Sequence, residues 1–538
     1  MDKATRASTA MDLFHSPKFS SRVEELIEQH HVPGVAIAIV QNDTTASAGF
    51  GKASLDPQKP CTADTLFDIA SASKSLTAAS VGLLVDDDEY PHVRYDSVMS
   101  TLLPGDFVMP GEGYTEGVTV EDVLSHRTGM AAHDCSYMGL DAARPDDARS
   151  VTRNLRNLPV AAPIRSKYMY CNMMYTVATH LVEHMSGLSF SDFLHQHFFQ
   201  PLGMDSTNLQ PERARAKGLG DRIATGYFWD EDAEKYMGFQ TPDCPEGQGA
   251  GSIITSVNDY VKWVKAMVNQ ESPITENVYQ GLIKSRTLQN PDYEKLPPYT
   301  SPALYAAGWE VYHYRGHMVV THDGGIPGVS TRHFFLPEAK FGGAIFGNAG
   351  GSSKVTAILA QELIDEVLKV PGDERPDWNK IESERFLDDN DKDKEETARQ
   401  KLCPGIKESE PQKTPLRAYA GEYWNSGYHG MTVEIKDERL YIDATDRSLG
   451  FTLTFDHVCG QTKYIVHLSD EFEGSDVPFR GEFRLENDRA VKMGLHLEED
   501  VEEYIWFDRV KAGSREGDKD PETLQGNFEA QVVIRQQK

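Results

Sequence analysis

In the run Phe67-Asp68-Ile69-Ala70-Ser71-Ala72-Ser73-Lys74, a hydroxyl and an amine stand three residues apart. If a helix begins at Ser71, its 3.6-residue turn puts both side chains on one face. A helix N-terminus offers unpaired N–H groups and a dipole that favours negative charge beside the serine. A lysine held there and partly desolvated loses its proton more readily and acts on the hydroxyl. The bland alternative is a capping serine next to an exposed lysine. Ser-x-x-Lys tetrapeptides arise often by chance, so other residues must decide.

Two further stretches bear on that choice. Tyr170-Cys171-Asn172 precedes a helical pattern of apolar residues (Tyr175, Ala178, Leu181, Val182, Met185) that ends at Gly187. The Tyr170 phenol suits a proton relay, and the Asn172 carboxamide suits a substrate carbonyl while also contacting Lys74. Farther on, His322-Asp323-Gly324-Gly325 follows the apolar run 318–321. A strand here carries a titratable ring, and its glycines let a substrate approach the backbone closely.

The elements that must position these groups read as follows. Val23, Leu26 and Ile27 lie on one face of a first helix closed by Pro33-Gly34. Residues 34–40 read as a buried strand, joined through a turn at Asn42-Asp43 to a second strand at 46–52. After Ser71, Ala72, Leu76, Ala79 and Leu83 keep a helical spacing up to Asp86-Asp87-Asp88. Runs at 318–321, 332–336 and 343–346 look like closing strands, and a helix over 353–368 follows. Strands at both ends with helices between them predict an α/β layer architecture with an antiparallel sheet. Between 379 and 413, 18 of 35 residues are charged, which predicts a linker with at most a short helix. From Pro415 the pattern alternates with period two (Met431, Val433, Ile435; Leu440, Ile442; Phe451, Leu453, Phe455), predicting about eight antiparallel strands in a small barrel or sandwich. The expected division is therefore 1–375, a linker at 376–415, a β-domain at 416–510 and a polar tail at 511–538.

Composition narrows the function classes. The 538 residues carry 54 Lys and Arg against 83 Asp and Glu, a net charge of −29. That balance repels phosphate backbones and anionic membrane surfaces, so neither nucleic acid nor a membrane is an expected partner. No apolar run approaches the ~20 residues of a membrane span. The first residues lack a secretory pattern, so a cytoplasmic location is the default. Cys61, Cys135, Cys171, Cys244, Cys403 and Cys459 include no Cys-x-x-Cys pair and read as reduced thiols.

Competing chemistry is limited. His180, Glu183 and His184 fit the His-x-x-Glu-His pattern of a class of zinc peptidases, but they fall inside the helix that packs behind Tyr170 and Asn172. Cys171 reads as a small residue filling its position. There is no Gly-x-Ser-x-Gly elbow and no P-loop.

Ser71-x-x-Lys74, Tyr170-x-Asn172 and His322-x-Gly324, in this order, resemble the motifs of the penicillin-recognising serine hydrolases. That superfamily holds class C β-lactamases, DD-peptidases, D-aminopeptidases, esterases and acyltransferases. The stretches 118–129, 199–204, 249–252 and 307–309 agree with its pattern, so the resemblance covers about residues 15–370. The segment from Tyr419 looks like a lipocalin-like domain appended to some members. The resemblance implies the β-lactamase/transpeptidase-like fold, an antiparallel sheet flanked by helices plus an all-helical region, followed by a C-terminal antiparallel β-barrel. It also implies roles: Ser71 as the nucleophile that forms an acyl-enzyme, and Lys74 with Tyr170 as the general-base pair. Asn172, His322 and Gly324 would line the substrate site, and the N–H groups of Ser71 and Gly325 would form the oxyanion hole. No metal or organic cofactor is implied.

The resemblance leads to a serine hydrolase or acyltransferase working on an ester, thioester or small amide. The substrate would be a small acyl compound, such as a metabolite or polyketide thioester on a carrier protein. His322 stands where β-lactamases have a lysine and offers at most a partial charge near pH 7, so penicillin hydrolysis is not expected. The alternatives are a D-aminopeptidase-like amidohydrolase, the zinc peptidase of His180, Glu183 and His184, and a non-catalytic binding scaffold. A β-domain that reaches over the pocket and limits substrate size is a further expectation.

Overall fold

A computed structural model describes residues 10–387 and 391–511. The N-terminal residues and the polar tail at 512–538 lie outside them. The chain divides into two compact units, Met1–Asp389 and Asn390–Lys538.

In the first unit, Ser16 caps the helix Pro17–Gln29 by accepting the Phe19 N–H, with Pro17 in the first turn where its missing N–H costs nothing. Its apolar stripe, Phe19, Val23 and Leu26, is buried. The strand Gly34–Gln41 turns back at Asn42 and pairs with Thr44–Leu55. Together they form part of a nine-stranded sheet in the order Gln58–Pro60, Thr44–Leu55, Gly34–Gln41, Phe341–Gly347, Val329–Leu336, His317–Ile326, Glu310–Tyr314, Leu304–Tyr305, Thr287–Leu288. Every pairing in it is antiparallel. The first and last thirds of the unit thus meet inside the sheet, where Ile37 faces Ile345.

Val35, Ile37, Ile39, Phe334 and Ile345 share one core with Val23 and Leu26 of the first helix and with Val355, Leu359 and Leu363 of the helix Ser352–Val367. Each such side chain contributes about 1.5–3 kcal/mol on burial. Alternation turns Ala36 and Ala38 to the opposite face, where the helix Val257–Asn269 packs. That helix and Lys74–Asp86 carry the site side of the unit.

The charged stretch expected as a linker is largely helical, Trp378–Leu387 and Asp391–Leu402, and the division of the chain falls inside it. Trp378 is buried in the first unit's core and donates its indole N–H to Asp365 Oδ2 at 2.8 Å. Ala398 and Leu402, four residues apart on one helical face, bury against Val458 and Ile465 of the second unit. The charge count hid these sparse apolar positions because their spacing, not their number, makes a buried face.

The second unit is a closed barrel of eight strands, from Gly421–Asn425 to Ile505–Arg509, each antiparallel to the next and the first paired with the last. Closure leaves no exposed sheet edge. Phe483 meets Tyr419, Tyr464 and Phe455 at ring separations of 5.1, 5.5 and 5.8 Å, filling the interior. The expectation of six reduced thiols is corrected here. Cys403 and Cys459, 56 residues apart in sequence, form a disulfide, and the other four cysteines form none. The partners come together because the helix Asp391–Leu402 ends against the strand Phe451–Cys459, a meeting that sequence spacing does not announce. No helix among the described residues is long and apolar enough to cross a membrane.

Candidate active site

The short strand Phe67–Asp68 pairs with Ile253–Thr255 and delivers the chain to a tight turn. Ala70 takes a left-handed conformation (φ +45°), uncommon for a residue with a Cβ. Asp68 Oδ1 holds that turn by accepting the Ala70 N–H at 2.7 Å. Burial pushes the Asp68 carboxyl up to about 7 against the pull of the Ala70 and Ser252 N–H groups. The chain then winds as a 3₁₀ turn, Ala70–Ser73, continued by the α-helix Lys74–Asp86. Ser71 and Lys74 end on one face, as the spacing predicts.

Lys74 is fully buried, and its Nζ meets three oxygens: Ser71 Oγ at 2.9 Å, Asn172 Oδ1 at 2.8 Å and the Ala250 carbonyl at 2.9 Å. Burial brings its pKa down to about 7, opposed chiefly by the charge of Asp134. The Ala250 carbonyl reaches Lys74 because the preceding Gly249 has φ +84° and presses on Tyr175 and Thr179, where a Cβ would lie 2.2 Å from the Thr179 methyl.

Tyr170 donates its phenolic proton to Ser71 Oγ at 2.9 Å. Burial holds its pKa well above 10, so the phenol is neutral and acts as a donor. Of the expected base pair, only Lys74 reaches its basic form near neutral pH. Cys171 is extended, so Tyr170 and Asn172 point to the same side. Asn172 opens the helix Asn172–Ser186, with Oδ1 toward Lys74 and Nδ2 3.3 Å from both oxygens of Asp134.

His322 lies on the strand His317–Ile326 and is 3% exposed. Its Nδ1 is 2.6 Å from the Asp323 carbonyl and its Nε2 2.8 Å from the Tyr305 hydroxyl. A carbonyl only accepts, so these partners assign the proton to Nδ1 and make Nε2 the acceptor of the Tyr305 O–H. Burial, with Lys74 nearby, lowers the ring to about 4. His322 is therefore neutral with both nitrogens occupied, and it supplies no cation for a substrate carboxylate. Gly324 passes so close to the turn before Ser71 that a Cβ would stand 2.1 Å from the Ile69 carbonyl oxygen. Gly325, one residue on, is exposed and faces open space.

Three neighbours escaped sequence reasoning. Asp134 follows His133, which has φ +53° and is braced by its Nε2 at 2.8 Å from the Pro159 carbonyl. His126 Nδ1 accepts the Cys171 N–H at 3.1 Å, and its ring packs 4.3 Å from that of Tyr170. Tyr305 holds His322. Only His126 had a signal, being inside the 118–129 stretch; nothing local marks Asp134.

The zinc pattern resolves into packing. His180 Nδ1 meets Thr152 Oγ1 at 3.1 Å and its Nε2 faces Asp106 at 3.7 Å, while Glu183 Oε1 accepts the Phe190 N–H at 2.9 Å. No group of three or more His, Cys, Asp or Glu side chains among the described residues is arranged to hold a metal ion.

Residues 19–366 match the β-lactamase family, and residues 406–509 match a domain of unknown function, DUF3471. Unguisins hydrolase ungD' of Aspergillus campestris is 34% identical, the alignment covering 91% of this chain and 91% of that protein. Unguisins hydrolase ungD of Aspergillus violaceofuscus is 33% identical, covering 92% and 90%. In three dimensions the octameric penicillin-binding protein homologue from Pyrococcus abyssi superposes with a TM-score of 0.56 at 20% identity, covering 91% of this chain and 99% of that one, a likeness of fold.

Proposed function

The chain belongs to the β-lactamase family of hydrolases, and from that premise we propose that it cleaves an acyl compound through a covalent ester on Ser71. Lys74, neutral above about pH 7, takes the proton from Ser71 Oγ as that oxygen bonds to the substrate's carbonyl carbon. The N–H groups of Ser71 and Gly325 receive the charge that forms on the carbonyl oxygen. The bond from carbon to the leaving nitrogen, oxygen or sulfur then breaks. Tyr170 gives its proton to that atom and recovers one from Lys74. Water next attacks the ester carbonyl and loses a proton to Lys74, and the acid departs as Ser71 regains its hydrogen. A positioned base accounts for about 10²–10⁴-fold in rate, and an oxyanion donor for about 10²–10³-fold.

The single observation that carries this reading is the convergence on Ser71 Oγ of a lysine brought to about 7 and a neutral phenol, each at 2.9 Å. An idle scaffold has no physical need for a fully buried amine in that position. The substrate is an ester, thioester or amide, and the relatives' names make unguisins the first compounds to assay.

A fluorophosphonate probe followed by peptide mapping tests the proposal. Labelling on Ser71 that disappears in Ser71→Ala supports it. Folded protein that takes no label, and turns over neither unguisins nor p-nitrophenyl esters, would point to the scaffold.

A further inference from the structure

His126 follows the short helix Val120–Leu124 and Ser125, where the chain leaves the helix through a left-handed turn. Its φ is +54°, and the Arg127 N–H closes the turn by donating to the Asp122 carbonyl at 3.2 Å. Glycine is the usual residue in such a turn, because a Cβ is disfavoured there. An imidazole in this place carries a cost that its contacts must offset.

Those contacts surround one group of the site. The His126 carbonyl accepts the Met169 N–H at 2.7 Å, and its Nδ1 accepts the Cys171 N–H at 3.1 Å. One residue thus holds the backbone on both sides of Tyr170. Its fully buried ring lies 4.3 Å from that of Tyr170, with Tyr305 at 4.6 Å and Tyr175 at 5.2 Å around it. Accepting at Nδ1 leaves the proton on Nε2, which is buried and has no hydrogen-bond partner among the described residues. Burial, with Lys74 and His322 nearby, holds the ring well below 6.5, so it stays neutral and Nδ1 stays an acceptor. The Tyr170 hydroxyl has Ser71 Oγ as its partner, so its aim depends on the backbone at 169–171 and on these rings.

We propose that His126 is a positioning residue for proton delivery: by holding the Cys171 N–H through Nδ1, it keeps the Tyr170 phenol aimed at the atom that leaves the acyl carbon. This rests on the Ser71 reading above, in which the phenol proton passes to that atom as its bond to carbon breaks and is replaced from Lys74. A ring that only filled space would affect every substrate alike.

The test uses the full chain and the acetate esters of p-nitrophenol and ethanol, with kcat/KM measured at about pH 8, where Lys74 is neutral. p-Nitrophenolate leaves without a proton, whereas ethoxide must be protonated as it goes. The p-nitrophenyl-to-ethyl ratio of kcat/KM is expected to rise about tenfold or more in His126→Ala and in Tyr170→Phe, and to rise no further when the two are combined. His126→Asn should bring the ratio back toward that of the wild type, since its Oδ1 can accept the Cys171 N–H and asparagine tolerates the left-handed turn. His126→Gly, which takes the turn without strain, serves as the second variant if the alanine does not fold. A ratio unchanged in His126→Ala or His126→Gly while Tyr170→Phe raises it, or an asparagine no better than the alanine, overturns the proposal. A ratio that Tyr170→Phe leaves unchanged is a different result, which removes the phenol as donor and this inference with it. Turnover of p-nitrophenyl acetate that persists in Ser71→Ala is different again and removes the Ser71 reading itself.

Discussion

Lys74 and Asn172 are joined by a 2.8 Å hydrogen bond from the lysine Nζ to the carboxamide Oδ1, and that contact fixes which way the carboxamide faces. The lysine donates to oxygen, so the amide nitrogen must face the other way, toward Asp134, which only accepts. One side chain thereby spaces a buried amine from a carboxylate. Asp134 opposes the fall of the Lys74 pKa without sitting on it.

The rate should follow the charge of Lys74. Its pKa falls from 10.5 to about 7, and the amine is a base only when unprotonated. On the acid side, kcat/KM is expected to rise about tenfold per pH unit and to level off above about 7. Asp68 and Glu310 also sit at about 7, so the limb needs assigning. Asp134 raises Lys74 and is not among the groups acting on those two carboxyls. In Asp134→Asn the limb should therefore move to lower pH, as a pH profile with a neutral ester will show.

Tyr170→Phe separates the phenol from the base. The phenol's pKa stays well above 10, so its loss removes a donor at Ser71 but no group that titrates near neutrality. A fall of about 10²-fold or more in kcat with the acid limb unmoved is expected. A limb that disappears would make the phenol the titrating base.

The glycine pair should respond oppositely. In Gly324→Ala the new methyl carbon would be 2.1 Å from the Ile69 oxygen, forcing apart the strand and the turn that carries Ser71. A loss of about 1–3 kcal/mol in urea unfolding is expected. Gly325→Ala adds a methyl group where nothing lies within 4 Å, so stability should hold while acylation changes.

Trp378→Ala probes the helix hidden in the charged stretch. It removes a buried indole and its bond to Asp365, and should cost about 3–5 kcal/mol in the unfolding of the first unit.

What the sequence made legible depended on locality. Ser71 and Lys74 share a face because three residues nearly complete one turn. The period-two runs from Met431 onward predict strands because alternation is a local property, and the barrel has the expected eight. Asp134 and Asn172 meet across 38 residues, and Cys403 and Cys459 across 56; no spacing rule reaches that far. His322 was visible as a titratable ring, but its neutrality comes from burial and from Lys74, 248 residues away in sequence, and the partner of its Nε2 is Tyr305 on another strand. Trp378 was lost in a composition dominated by charge.

The central claim is that Ser71 carries the acyl group between two chemical steps. Wild-type protein mixed with p-nitrophenyl acetate and quenched in acid during the first turnovers should show, by peptide mass mapping, one acetyl group on the Ser71 peptide. Lys74→Met should accumulate it at least about 10²-fold more slowly. Turnover of the ester with the acetyl group found elsewhere, or formed as fast in Ser71→Ala, would contradict the account.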